Sequence, residues 1–281
     1  MANILRRHFM LHCMALFVAS TVRARPAHAA GIANLNEAIN KAGSLRMLSQ
    51  RMAKAYCQIG QNVWTDNSRR ILASSIDLYQ TRLNELKAFA PSSDIKATYA
   101  DLDANWQRFH RLLDTVPSLA NGQRVAELSE ESLRIAHLAT TQLELSSPTS
   151  VGRLINIAGR QRMLSQRLAK LYMCRQWGIS NPATDTEMAL AKREFLSAMD
   201  ALAHAPESTG KIGDELSLAR HQWMFFDNSL MQQSAGNKET YDAVNVATTS
   251  ERILEIMDHV TGLYAQLPAP AAAAAARAAR R

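Results

Sequence analysis

From about residue 33 onward the chain repeats one pattern: apolar residues three and four apart, polar residues between them, for 20 to 30 positions, then a breaker. No segment sustains the period-two alternation that a half-buried strand needs. The periodicity predicts helices over residues 33–62, 67–89, 93–117 and 122–146, with breaks at Gly60, around Asp66, at Pro91 and between Pro117 and Gly122. A second set follows over residues 149–178, 184–204, 208–234 and 238–266, broken between Gly178 and Pro182, at Pro206 and at Gly236. Asp66 or Asn67, and Ser92 or Ser93, are suited to cap helix N-termini. The predicted fold class is all-α, with two up-and-down four-helix bundles in tandem over residues 30–147 and 148–267. Ser146, Ser147 and Pro148 form the hinge between them.

The first helices of the two sets carry nearly the same sequence. Residues 40–56 and 156–172 agree at 12 of 17 positions with a constant spacing of 116, sharing Arg-Met-Leu-Ser-Gln-Arg at 46–51 and 162–167. Trp106 in the third helix is echoed by Trp223. The chain is therefore a tandem repeat, and its opening helix is the part held most constant.

At about 100° per residue the repeated helix has two non-solvent faces. Leu48, Met52 and Ala55, with Leu164, Leu168 and Leu171, form the core stripe of each bundle. Opposite lie Ala42, Gly43, Arg46, Ala53 and Cys57, matched by Ala158, Gly159, Arg162, Ala169 and Met173. Small residues let a second helix approach closely, and a mid-helix glycine costs roughly 1 kcal/mol against alanine unless packing repays it. An arginine on that face presses against the partner. Where two such faces meet, as a homodimer or an intramolecular pseudo-dimer, Arg46 and Arg162 repel unless something negative sits between them, or each pairs with an acid of its own bundle. The guanidinium fork suits small planar oxyanions. Arg51 and Arg167 lie about 140° round the helix from Arg46 and Arg162 and are expected to make ion pairs inside their own bundles.

Composition changes less than it first promises. The net charge of +7 comes from Arg6, Arg7, Arg23 and Arg25 near the start and Arg277, Arg280 and Arg281 at the end, leaving 25 basic and 25 acidic residues between them. The helical part is electroneutral, so no nucleic-acid partner is indicated. Residues 1–29 read as a cleaved signal peptide: Arg6 and Arg7, an apolar run of about 12 residues from Phe9, then Ala27-His28-Ala29 as a small-x-small site. That run is short of the ~20 residues a spanning helix needs, and the expected location is periplasmic. Residues 268–281 are an Ala/Arg tail of low complexity. Cys57 and Cys174 remain after the signal is removed. Because Cys174 aligns with Gln58, one position beyond Cys57, a bridge across the two repeats is disfavoured.

The segments Ile39-Asn-Lys-Ala-Gly-Ser-Leu-Arg-Met and Ile155-Asn-Ile-Ala-Gly-Arg-Gln-Arg-Met-Leu-Ser-Gln-Arg resemble the signature helix of the NarX/PilJ-type sensory domain. That family comprises the periplasmic domains of nitrate/nitrite sensor kinases and of type IV pili methyl-accepting chemotaxis transducers. The resemblance implies two tandem copies, each a four-helix bundle opened by the signature helix. It also implies a nitrate or nitrite anion held at a helix interface by the arginine of Gly-x-x-Arg. Carried onto this chain, the ligand-binding residues are Arg46 and Arg162, with Gly43 and Gly159 giving close approach. The first repeat is nearer the nitrate-sensor form and the second nearer the pilus-transducer form; Lys41 is replaced by Ile157.

No haem-attachment motif, no Glu-x-x-His pair of a di-iron bundle, no nucleophile elbow, phosphate loop or zinc motif occurs, so neither an enzyme nor a cofactor or metal is expected. The sequence thus predicts an exported sensory or ligand-binding protein for a small oxyanion, without its own signalling output. The competing reading is a non-catalytic module that docks onto a membrane chemoreceptor, sensor kinase or pilus component.

Overall fold

A computed structural model describes residues 31–147, 149–179, 182–231 and 237–267. The signal segment 1–29, Pro148 of the hinge, the break at Gly236 and the tail 268–281 lie outside the described residues. The described residues form eight α-helices and no strand: α1 (Leu35–Gly60), α2 (Thr65–Phe89), α3 (Ser93–Leu113), α4 (Leu119–Leu145), α5 (Ser150–Gln176), α6 (Thr184–Ala203), α7 (Lys211–Met231) and α8 (Asn237–Ala265).

Local chemistry sets the helix ends. Asn34 Oδ1 accepts from the Glu37 amide at 2.9 Å while Glu37 Oε2 accepts from the Ala33 amide at 2.9 Å, a reciprocal cap that starts α1. Ser92 caps α3 as its sequence suggests. Helix α2 starts differently from expectation. Its cap is Trp64, held in the left-handed region at φ 48°, and Asp66 sits inside the first turn. Gly122 is not a breaker either. Ser118 caps α4, and Gly122 lies within the helix because a neighbour needs the space: a Cβ there would fall 2.5 Å from Ile179 and 2.6 Å from Trp177. Gly60 faces the same indole, 2.2 Å from where its Cβ would be. Trp177, at the end of α5, is thus wedged against two backbones of the first repeat.

Each repeat forms its own ring of four. Helix α1 packs on α2 and α4, with α3 completing the ring; α5 packs on α6 and α8, with α7 completing it. An aromatic cluster recurs in both. Tyr79 stacks on Trp106 with ring centroids 4.3 Å apart, and Phe195 stacks on Trp223 at 4.0 Å. Phe109 and Phe226 meet those indoles edge-on. The two rings join through α1 and α5, which pack extensively on each other. Gly43 lies opposite Gly159, and Cys57, further along α1, lies opposite Cys174, further along α5, so the two helices run parallel. With neighbours on every side, α1 and α5 are buried around most of their circumference, including the polar side chains of Arg46, Gln50, Lys54, Arg162, Gln166 and Lys170.

Candidate functional site

The parallel seam brings the four sequence-predicted residues together. A Cβ added to Gly43 would lie 3.2 Å from Arg46 Nη2, 3.4 Å from Arg162 Nη2 and 4.0 Å from the Gly159 Cα. A Cβ added to Gly159 would meet the same two guanidinium nitrogens at 3.1 and 3.5 Å. Both arginine heads therefore gather over a floor that only paired glycines leave open. Arg46 is 0% exposed and Arg162 1%, and the Nε of each has no hydrogen-bond partner.

Their surroundings differ. Arg162 forms an ion pair with Asp258 of α8 and donates from Nη2 to the backbone oxygen and side-chain Oδ1 of Asn40, at 3.2 and 2.9 Å. Arg46 pairs with no carboxylate among the described residues. It donates from Nη2 to the Asn156 backbone oxygen at 3.4 Å and from Nη1 to His137 Nδ1 at 3.3 Å. The Asn156 side chain is drawn off by Glu144. Because arginine offers donors only, His137 Nδ1 must act as the acceptor, which makes the ring neutral with its proton on Nε2. Burial, then the charges of Arg46 and Arg160, pull His137 down to about 4, so it stays neutral at neutral pH. Burial, then Arg160 and Arg162, pull Arg46 down to about 9, still charged at neutral pH. Among the described residues Asp258 alone forms an ion pair with either arginine, while Glu144 acts on Arg46 from further off.

A search against family models finds the family described as "Type IV pili methyl-accepting chemotaxis transducer N-term", PilJ, over residues 30–131 and 144–223, more than half of the chain. The chain belongs to the PilJ family. No curated protein and no solved structure shows significant similarity to it. Two PilJ segments in one chain account for the tandem copies, and the family is one of sensory rather than catalytic domains, typically periplasmic. The matched segments contain Gly43, Arg46, Gly159 and Arg162 but not His137 or Asp258.

Two polar clamps flank the arginines of this PilJ pair and correct one expectation. Arg51 does not stay inside its own bundle: it and Lys54 reach across to Glu251 of α8, with Arg51 Nε at 3.0 Å and Lys54 Nζ at 2.6 Å from the carboxylate. Arg167 and Lys170 likewise reach Glu130 of α4, with Arg167 Nη2 at 3.0 Å; Arg167 also holds Glu187 of its own bundle at 3.1 Å. Burial raises each of these glutamates, but the facing lysine and arginine overcome it and bring both to about 2. The crossing follows from the parallel seam, which places the flank of α1 beside α8 and the flank of α5 beside α4. Cys57 and Cys174 have no bond between them, yet their side chains meet across the seam. Their sulfurs lie 3.6 Å apart, because the seam covers an arc wide enough to take in position 174 as well as 173.

Sequence reasoning passed over Asn40, Glu130, His137, Glu251 and Asp258. A signal existed: Ser129-Glu130 and Ser250-Glu251 stand 121 residues apart, as do His137 and Asp258. The spacing of 116 that links α1 to α5 hides them, because the second repeat is five residues longer before its last helix. Among the described residues no cluster of histidine, cysteine or carboxylate suits a metal ion, and no helix is long and apolar enough to cross a membrane.

Proposed function

We propose that this PilJ pair is an exported sensory module that binds a small planar oxyanion, nitrate or nitrite in kind, between Arg46 and Arg162. Gly43 and Gly159 make the approach possible, and a separate membrane receptor reads the result. One observation carries the proposal: two buried guanidiniums converge within 3.5 Å of the same point, yet among the described residues only Arg162 has an ion pair, with Asp258. Burying a charge without a full set of partners is costly, and an anion bound there would satisfy the free Nε groups. Each charge-assisted hydrogen bond contributes roughly 1.5–3 kcal/mol.

The test is thermal unfolding of the protein across nitrate and nitrite titrations, with chloride and sulfate as controls, repeated for Arg46→Gln and Arg162→Gln. A ligand at a hundredfold over its Kd adds about 2.7 kcal/mol of stability. A shift specific to the planar oxyanions and absent from both variants supports the proposal; no shift with any anion rejects it.

A second reading, a module that docks onto a membrane receptor without a ligand, draws on the outer face of α7. Leu218, Met224, Phe225 and Met231 are 45–71% exposed there. The corresponding α3 positions, taken from the Trp106–Trp223 match, are Asp101, Gln107, Arg108 and Asp114. The apolar strip is therefore peculiar to the second repeat and is not demanded by the bundle. Phe225→Asp abolishing receptor binding, with no anion shifting the unfolding of the parent protein, would support this reading.

A further inference from the structure

Cys57 and Cys174 belong to different repeats, neither takes part in the arginine site, and their sulfurs lie 3.6 Å apart without a bond between them. Their access differs. Cys57 is 0% exposed, sealed inside the seam. Cys174, 3% exposed, lines a half-open recess of about 110 Å³ between α4, α5 and α6, which Lys170 and Glu130 also line. At about 30 Å³ per water, such a recess admits a molecule of a few heavy atoms and excludes a protein disulfide.

We propose that Cys174 and Cys57 are a peroxide-reactive thiol pair that closes to a disulfide joining the two repeats. The Cys174 thiolate attacks one oxygen of a small hydroperoxide. The O–O bond breaks, hydroxide or alkoxide leaves and takes a proton, and Cys174 becomes a sulfenic acid. The Cys57 sulfur then attacks the Cys174 sulfur. The S–S bond forms, the sulfenic hydroxyl leaves as water with the Cys57 proton, and two thiols have given two electrons to one peroxide. Reactive cysteines combine thiolate character with access, and resolving cysteines stand beside them. Either sulfur can donate in their mutual contact, the Lys170 ammonium lowers both thiols against their burial and Glu130 opposes it at Cys174, so the choice of Cys174 as the first to react rests on the recess it lines. The product would tie α1 to α5 some three turns beyond Arg46, so that oxidation and the anion site act on the same helix pair.

The experiment uses the full chain carrying Cys13→Ser, treated folded with equimolar hydrogen peroxide, alkylated and mapped by mass spectrometry without reductant. The expected result is loss of two thiols and one linked Cys57–Cys174 peptide, restored by dithiothreitol. Adding Cys57→Ser should leave Cys174 trapped as a dimedone adduct. Adding Cys174→Ser should slow oxidation of Cys57 at least tenfold. Circular dichroism checks that each variant keeps its helices, and the parent map stands as a test even where a variant does not fold. Persistence of both free thiols in the parent, or oxidation of Cys57 at the parent rate once Cys174 is gone, overturns the proposal. Neither result depends on whether an anion binds.

Discussion

Arg46 and Arg162 occupy the same position of the same repeat, yet they are served differently. Arg162 faces Asp258, a carboxylate; Arg46 faces His137, a neutral ring, at the equivalent place on α4. Asn40 turns its side chain to Arg162, whereas Asn156 gives Arg46 only its backbone. A homodimer of identical chains would give both arginines identical partners. Here the second half neutralises its own arginine and the first half leaves its arginine short of an acceptor. The difference leaves Arg46, unlike Arg162, without an ion pair among the described residues.

The comparison breaks most severely at the clamps, where the halves are most alike. Glu251→Gln strands Lys54, and removing one partner of a buried pair costs about 3–5 kcal/mol; Glu130→Gln strands Lys170, but this carboxylate is more than a third exposed and solvent screens part of the loss. Urea unfolding should show the larger loss for Glu251, whose side chain is 16% exposed against 38% for Glu130. Equal losses would mean that the surrounding burial is irrelevant to the clamps.

Exchanging the arginine partners sharpens the comparison directly. His137→Asp supplies Arg46 with its own carboxylate and should abolish the nitrate-dependent shift while raising stability without ligand by about 1 kcal/mol. Asp258→Asn removes the internal competitor and should strengthen anion binding by about tenfold, ~1.4 kcal/mol, at a small loss of basal stability. Calorimetric titration of the two variants checks the opposite signs; a change of the same sign in both would show that the partners do not control the site.

Acid should separate the halves next. His137 titrates near 6.5 in the unfolded chain and at about 4 when folded, so the unfolded state takes up the proton first as pH falls. Stability carried by this ring is complete above about 6.5 and is lost on the way down to 4; His137→Asn should flatten that part of the profile. The two glutamates of the clamps, lowered to about 2, hold their contribution above 4.5 and lose it between 4.5 and 2, in both halves together. Chemical denaturation at steps of pH would resolve the two windows.

The smallest effect is expected at the floor. Gly43→Ala places a methyl about 3.2 Å from one guanidinium and 3.4 Å from the other, a crowding that movable side-chain ends can relieve, and helix propensity favours alanine by about 1 kcal/mol. Stability should change by less than about 1 kcal/mol while anion binding weakens. Unchanged binding would mean that the spacing of the two arginines does not matter.

The helices, the paired glycines and the arginines were legible because each leaves a local mark: apolar spacing, a glycine inside a helix, a repeated Arg-Met-Leu-Ser-Gln-Arg. What the arginines touch was not legible. Arg51 and Arg167 were expected to pair within their bundles, because sequence periodicity assigns faces but not which helix of the other repeat lies beside them. Gly122 read as a break, since nothing local reveals the Trp177 ring that requires it. Cys174 looked out of register because an angular wheel treats a helix contact as a line, whereas the seam has width.

The parallel pairing of α1 and α5 also bears on dose. Two copies that meet only by association separate on dilution, and their response then tracks the amount of protein present. Here both partners lie on one chain and α2, α3 and α4 connect them, so each helix meets the other at an effective concentration that the connection sets and the abundance of the protein does not. The seam should assemble as completely in a cell that makes few molecules as in one that makes many, and the number of occupied sites should count molecules rather than encounters between them.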